Sequence, residues 1–303
     1  MKNTAGRSGK RSFSRDKLII FLIVAAAILV WYLVEGRGNS PAPVDTASGQ
    51  CEIVMIDVDQ GDAILLRSGA HNVLIDTGTS RARGKFTSYL SSTGIDHLDY
   101  LILSHPHEDH IGNADYVIKN YKVDHLVMPD AETNTACFER LLKAADAAGL
   151  EIETPLKGDK FSAGDMRFTV LTDDALVHGS NLNLYSIVLR MDFGGVSALF
   201  TGDAEKWNEN ELLKGDLSLL DCDILKVGHH GSDTSNGEDF IAAVSPSVGL
   251  ISCGVGNDYG HPHVKALRTL EKYNVTVFRT DLESTVTLVT DGNGVRRVGT
   301  SGK

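Results

Sequence analysis

The chain predicts a layered α/β fold in which two mixed β-sheets pack face to face with helices outside. Three observations carry this. Short runs rich in branched residues recur between polar turns. Within each half the strands come first and then alternate with helical stretches. Polar and ionisable residues gather repeatedly where a strand ends.

The first half opens with EIVMIDV (52–58), DAILLRS (62–68) and NVLIDTG (72–78), three predicted strands separated by turns. Helical spacing follows over 85–93. LDYLILS (98–104) is nearly continuous in apolar residues, as expected for a strand covered on both faces. A helix is predicted over 111–119, a strand at HLVMP (125–129) and an amphipathic helix over 137–148. The second half predicts strands at MRFTVLT (166–172), YSIVLRMDF (185–193) and VSALFTG (196–202), then a helix over 209–214 and a strand CDILKV (222–227). A further helix, a strand VGLISC (248–253) and a helix over 263–273 come next. Strands VTVFRT (275–280), STVTLVT (284–290) and VRRV (295–298) end the chain.

Ahead of this predicted domain, 51–300, the character changes. Residues 18–34 are seventeen consecutive apolar or aromatic residues, close to the lower limit for a membrane-spanning helix. Trp31 and Tyr32 near its end suit a membrane interface, and residues 1–17 form a basic tail with a single acid, Asp16. The positive-inside rule puts that tail in the cytoplasm and the rest of the chain outside, anchored in the cytoplasmic membrane. A cleaved signal peptide is the alternative, which would release the domain without changing its side of the membrane. Residues 35–50, rich in Gly, Ser, Pro and Ala, read as a linker.

The 303 residues carry 29 basic and 40 acidic side chains, net −11. Residues 1–37 hold 7 basic and 2 acidic, which leaves 22 and 38 beyond them, net −16. So acidic a domain is no general nucleic-acid binder, although bound cations would let it act on phosphates. Cys51, Cys137, Cys222 and Cys253 form no CxxC pair. They read as buried free thiols rather than a zinc knuckle or a disulfide framework.

The chemistry is concentrated in LILSHPHEDHIGN (101–113), where an apolar strand runs into three histidines and two acids within six residues. Imidazole and carboxylate ligate zinc and similar divalent ions, and burying such a cluster without a partner would be costly. His105 and His107 can approach one ion, and Asp109 and His110 a second. One loop cannot complete such a site, so other strand ends must contribute. Asp76 follows one strand, Asp203 follows another as a natural bridging carboxylate, and His229 and His230 follow a third; His261 and His263 sit in a turn before a helix.

The spacing His105-x-His107-x-Asp109-His110, with Asp203 in TGD, resembles the metallo-β-lactamase superfamily signature. IDVDQGDAILL (56–66), NLYSIVL (183–189), FTGDAE (200–205), ILKVGHHGS (224–232) and NDYGHP (257–262) resemble, in order, the hydrolase domain of ComEC-type competence proteins. The resemblance implies a four-layered αββα sandwich, two divalent ions (Zn²⁺ or Mn²⁺) and nuclease activity on one DNA strand during uptake. It implies His105, His107, Asp109, His110 and Asp203 as ligands with His261 as the preferred last one. His229, His230 and Asp109 are candidate catalytic groups, and His229 or His230 could bind metal instead. Asp62 and Asp76 are candidates to orient histidines, and Ser232, with the backbone of Gly231, to contact substrate. Three departures stand out. One apolar segment replaces the multi-helix channel of ComEC proteins, so a separate uptake channel is the expected partner. Asp59 stands where the family loop reads DVGQGD. Asn183 stands near where many superfamily enzymes have a ligand histidine, with His178 a possible substitute. Two other functional classes fit less well: hydrolysis of a small exported substrate (a phosphocholine ester, nucleotide or lactam) and a catalytically idle surface module.

Overall fold

A computed structural model of the chain describes residues 49–173, 177 and 179–298. The apolar segment 18–34, all but the last two residues of the linker 35–50, and His178 lie outside the described residues. Among those described, no helix is long and apolar enough to cross a membrane.

Two sheets form the structure. The first has eight strands in the order β15-β14-β1-β2-β3-β4-β5-β6. It comprises β1 (Cys51–Met55), β2 (Ile64–Ser68), β3 (His71–Ile75), β4 (His97–Ile102), β5 (Lys122–Val127), β6 (Ile152–Glu153), β14 (Val286–Thr290) and β15 (Val295–Val298). The second has seven, in the order β13-β12-β11-β10-β9-β8-β7. These are β7 (Lys160–Ala163), β8 (Met166–Val170), β9 (Leu189–Phe193), β10 (Val196–Phe200), β11 (Ile224–Lys226), β12 (Val248–Ile251) and β13 (Thr276–Arg279).

The two-residue period of a strand builds the layers. Ile53 and Met55 on β1 join Phe168, Met191 and Phe200 of the other sheet in a core between the sheets, while Val54 faces the opposite way. That outer face is covered by helices α1 (Arg83–Ser92), α2 (Glu108–Ile111), α3 (Ala114–Asn120) and α4 (Ala136–Ala148), through Phe86, Leu90, Val117, Phe138 and Leu141. Outside the second sheet lie α5 (Lys206–Leu212), α6 (Glu238–Val244) and α7 (Val264–Lys272), bringing Leu212, Phe240, Ile241 and Leu270 against Leu199, Leu225 and Ile251. A short α8 (Thr280–Glu283) follows β13. The result is the expected αββα sandwich, and both faces of each sheet are apolar because both are covered.

Strand direction positions the site. β3, β4 and β5 run parallel, as do β10, β11, β12 and β13. Parallel strands end on one edge of their sheet, so the residues following β3, β4, β10 and β11 emerge side by side.

Several predicted elements are trimmed. Ile56 to Val58 continue the apolar pattern of β1 but leave the ladder, because the chain turns at Asp59 into left-handed backbone (φ 57). That conformation explains the glycine of the family loop. Here Asp59 adopts it with its N–H donating to Asp57 Oδ1 (3.1 Å), and Lys85 pairs with both carboxylates (2.6 and 3.1 Å). The helix expected over 111–119 is interrupted at Gly112-Asn113 and divides into α2 and α3. The strand expected from Tyr185 begins only at Leu189, since Leu182–Tyr185 form a 3-10 turn. Strands β6 and β7 were not expected, since β6 is only two exposed residues long and β7 is polar at its exposed positions.

All four cysteines are free and buried. Burial pushes the Cys51 and Cys253 thiols up to about 12 and that of Cys222 to about 11. The native protein should therefore react only slowly with Ellman's reagent, and all four thiols should titrate once guanidinium unfolds it. Fast native labelling would show that the sandwich is not closed, and fewer than four thiols in denaturant would reveal a disulfide.

Candidate metal centre

Asp203, 2% exposed, follows β10 and lies at the centre of the site. Its two oxygens face different partners. Oδ1 lies 3.3 Å from His110 Nε2 and 3.5 Å from His230 Nε2. Oδ2 lies 3.5 Å from His229 Nε2 and 3.9 Å from His105 Nε2, and His105 Nε2 is 2.9 Å from His107 Nδ1. Asp109 Oδ2 completes the first side, 3.4 Å from His230 Nε2 and 3.9 Å from His110 Nε2.

His110 Nε2, His230 Nε2 and Asp203 Oδ1 are buried and accept or donate no hydrogen bond. Native proteins leave few buried polar atoms unsatisfied, and here three converge with Asp109 within 4.8 Å of one another. Imidazole nitrogens and carboxylate oxygens at that separation fit a divalent cation.

The outer nitrogens are tied down. Asp76 Oδ2 holds His110 Nδ1 at 2.8 Å and accepts from Ser104 Oγ, while Asp76 Oδ1 accepts from Ser104 N–H. His230 Nδ1 donates to the Ser252 carbonyl at 2.9 Å and lies 3.4 Å from Asp62 Oδ1. These contacts put the proton on Nδ1 and free each Nε2 for the centre. Asp76 thus stands behind His110 and Asp62 behind His230. With His110 they form a second close grouping. It reads as support rather than an ion site, because Lys226 pairs with Asp62 Oδ2 at 2.6 Å.

Lys226 is the residue the sequence reading passed over. It ends β11, is fully buried, and also donates to the Gly202 carbonyl (3.2 Å) next to Asp203. Its signal was present: a lysine at a strand position with apolar neighbours on both sides.

Electrostatics follow from this packing. Burial is the largest influence throughout. It pushes the Asp76 carboxyl up, and it holds His105 and His229 below the usual imidazole range. At Asp62, Lys226 and His230 outweigh burial and bring the carboxyl down to about 2. Asp203 is likewise held well below the carboxylate range by His230 and His110, and Asp203 in turn raises both imidazoles against the effect of burial. The carboxylates demand positive charge, and among the described residues the imidazoles and Lys226 supply it.

The adjacent histidines reach opposite oxygens of Asp203 because their backbone is left-handed, with φ 50 at His229 and φ 53 at His230. Such residues cost about 1–2 kcal/mol each. Asn236 holds the turn: its Oδ1 accepts from Gly228 N–H, and its Nδ2 donates to the Gly228 and Ser232 carbonyls.

His261, the preferred last ligand, lies outside the four-donor group, which includes His230, the alternative ligand. The cause is the left-handed turn, invisible in the residue pattern. His261 stands farther out, its ring 6.1 Å from His230 and 5.5 Å from His229, with Gln60 Nε2 3.4 Å from its Nδ1. Burial and the neighbouring histidines bring it down to about 4. Ser232 turns from the cavity to Thr234, whose Oγ1 contacts His229 Nδ1 at 3.0 Å, so it supports that ring rather than facing substrate. Asn183 lines the cavity with His107, Asp203 and His229; its Nδ2 donates to Glu205 and its Oδ1 is buried without a partner.

This cavity holds about 460 Å³ and is bounded by Gln60, His107, Asp109, His229, Tyr259 and His261. A second, of about 600 Å³, shares Gln60, Glu108, Asp109 and Tyr259 with it.

A sandwich of this order with a His/Asp donor cluster at its strand ends defines a class, and comparison agrees: residues 56–255 match the metallo-beta-lactamase superfamily, and the chain belongs to it. Its fold is that of the superfamily, and its His/Asp donor set fits a divalent cation. Within it, the chain is similar to proteins of the ComEC competence type. It is 34% identical to ComE operon protein 3 of Bacillus subtilis over 89% of this chain and 39% of that protein. It is 31% identical to Recombination protein 2 of Haemophilus influenzae over 78% of this chain and 28% of that one. The chain therefore spans less than two fifths of these relatives. Among solved structures, the metallo-beta-lactamase fold protein YhfI from Bacillus subtilis superposes with a TM-score of 0.55 at 15% identity. The match covers 80% of this chain and 100% of that one, a likeness of fold.

Two predictions test the supporting layer. Lys226→Met leaves Asp62 as an uncompensated buried charge and should cost about 3–5 kcal/mol in urea denaturation. Adding Asp62→Leu should recover much of that loss, and a double variant no better than the single would refute the pairing. Gly61, at φ +137, has no room for a side chain, since a Cβ would meet the Asp109 carbonyl at 2.3 Å. Gly61→Ala should therefore displace the Asp109 loop, seen as weakened Mn²⁺ binding by calorimetry alongside a lower urea midpoint.

Proposed function

We propose that the chain is a two-metal phosphodiesterase, Zn²⁺- or Mn²⁺-dependent, that cleaves DNA outside the cytoplasmic membrane while anchored by residues 18–34. The observation that carries the reading is the division of Asp203. His110 and His230 face Oδ1 with Asp109 beside them, and His229 and His105 face Oδ2, with His107 Nδ1 2.9 Å from His105 Nε2. One carboxylate between two donor sets is the arrangement of a dinuclear hydrolytic centre.

When bound, such ions activate water and stabilise charge developing on a phosphoryl group. The chain's own residues do the rest. Asp76 and Asp62 fix the ring orientations of His110 and His230. Asp109, whose side chain is 29% exposed, borders both cavities, and His110 and His230 outweigh burial to hold its carboxyl well below the usual range, so it stays ionised beside the centre. Burial lowers both His229 and His261, which suits His229 to the donor set at Oδ2 and His261 to accept a hydrogen bond rather than to protonate a leaving oxygen. Similarity to competence proteins supports DNA as substrate, and a separate uptake channel is the proposed partner. A small phosphodiester is the second reading, favoured by the net charge of −16 beyond residue 37, which repels a polyanion.

Full-length protein in detergent should cleave single-stranded DNA and bis(p-nitrophenyl) phosphate with Mn²⁺ or Zn²⁺ and lose both activities in EDTA. Asp203→Ala and His107→Ala should each fall to background. Activity surviving both substitutions would refute the two-metal centre, and cleavage of the small diester alone would decide for the second reading. Protease added to intact cells should digest the domain if it faces outward.

A further inference from the structure

The second cavity contains no donor of the metal centre except Asp109, and the centre does not account for its wall. Its outer side is the loop Gly254, Val255, Gly256, Asn257, Asp258, Tyr259. Tyr259 is 65% exposed, yet its place is fixed. Asn257 Oδ1 accepts from the N–H groups of Tyr259 (3.2 Å) and His261 (3.0 Å), and Asn257 Nδ2 donates to the carbonyls of Gly254 and His261. The Tyr259 carbonyl is 3.2 Å from His263 Nε2. One face of the ring lies against His261, 5.5 Å between centroids and 18° between planes. Tyr259 borders both cavities, so the ring stands at their junction.

A large aromatic ring held rigidly at a cavity mouth forgoes the burial that normally stabilises it. Opposite it the same cavity contains Arg81, exposed and with no carboxylate partner among the described residues. Of the four acids lining the cavity, Asp59 pairs with Lys85, Glu108 accepts from Thr79 Oγ1 and Ser80 N–H, and Asp109 belongs to the donor cluster, which leaves Asp258 on the outer loop facing the same space as Arg81. A flat π surface and a free guanidinium in one cavity, beside a centre for a phosphodiester, match the two halves of a nucleotide.

We infer that the second cavity is a nucleotide subsite for a single strand, in which an unpaired base stacks on Tyr259 and a phosphate of the same strand meets Arg81. The inference rests on the phosphodiesterase reading and adds that the substrate is recognised through its bases. A duplex, whose base faces are covered, does not fill this subsite.

The test uses full-length protein with Mn²⁺ and two short deoxyoligonucleotides of equal length. One carries 2-aminopurine among ordinary bases, and the other replaces every base by tetrahydrofuran. Wild type should bind the base-bearing strand about tenfold more tightly than the abasic one and quench 2-aminopurine on binding. Tyr259→Phe should keep that ratio, and Tyr259→Ala should reduce it to about one, with folding checked by circular dichroism. Arg81→Gln should lower the salt dependence of binding by about one ion while leaving the ratio in place. A Tyr259→Ala protein that keeps the wild-type ratio, while still cleaving the strand, overturns the subsite alone. A protein that neither binds nor cleaves any phosphodiester overturns the subsite together with the function it rests on.

Discussion

The structure depends on the burial of three carboxylates where the two sheets meet. Asp62, Asp76 and Asp203 are each 1–2% exposed. An unpaired carboxylate at such depth costs several kcal/mol. The surrounding residues make that burial tolerable, and they do so unequally. Asp76 has two bonds from Ser104 and one imidazole, and Asp62 has Lys226. Asp203 has backbone support, a Ser186 hydroxyl accepting from its N–H, but its Oδ1 meets only imidazoles with no hydrogen bond made. The layer behind the centre is neutralised by protein, and the centre itself is left for a cation.

That division explains why some of the site was legible in the sequence. A segment such as His105-Pro106-His107-Glu108-Asp109-His110 has little structural use without a ligand, so its density alone pointed to metal. Asp76 and Asp203 were legible because each follows an apolar run, and strand order then brings those ends together. The layered architecture was legible for the same reason the core exists: alternating and continuous apolar runs state how many faces a strand buries.

What was hidden depends on backbone conformation rather than residue type. Neither a strand nor a helix would send His229 and His230 to the two oxygens of one carboxylate, but two successive left-handed residues do. The choice between His230 and His261 turned on those dihedrals. Asp59 is the mirror case. Its replacement of the family glycine was visible but had no meaning until its φ of 57 appeared, with Lys85 binding the carboxylate in place. Lys226 was hidden differently, since a lysine in a short strand usually points to solvent. Only the position of Asp62, 164 residues earlier, shows why this one does not.

On the proposed phosphodiesterase reading, so acidic a domain must confine its attraction for phosphates to one place. With a net charge of −16 beyond residue 37, long-range steering works against a polyanion, and salt screens that repulsion beyond about 8–10 Å. Attraction must then act at short range, inside the cavities, where exclusion of water strengthens it. The cation site supplies charge at the floor, and Arg81 supplies it at the edge. In the inferred subsite, stacking on Tyr259 would add a contribution that charge does not oppose and salt does not screen. The same acidity that argues against a general nucleic-acid surface therefore argues for an aromatic one: where the surface repels phosphate, the base is the part of a nucleotide left to hold.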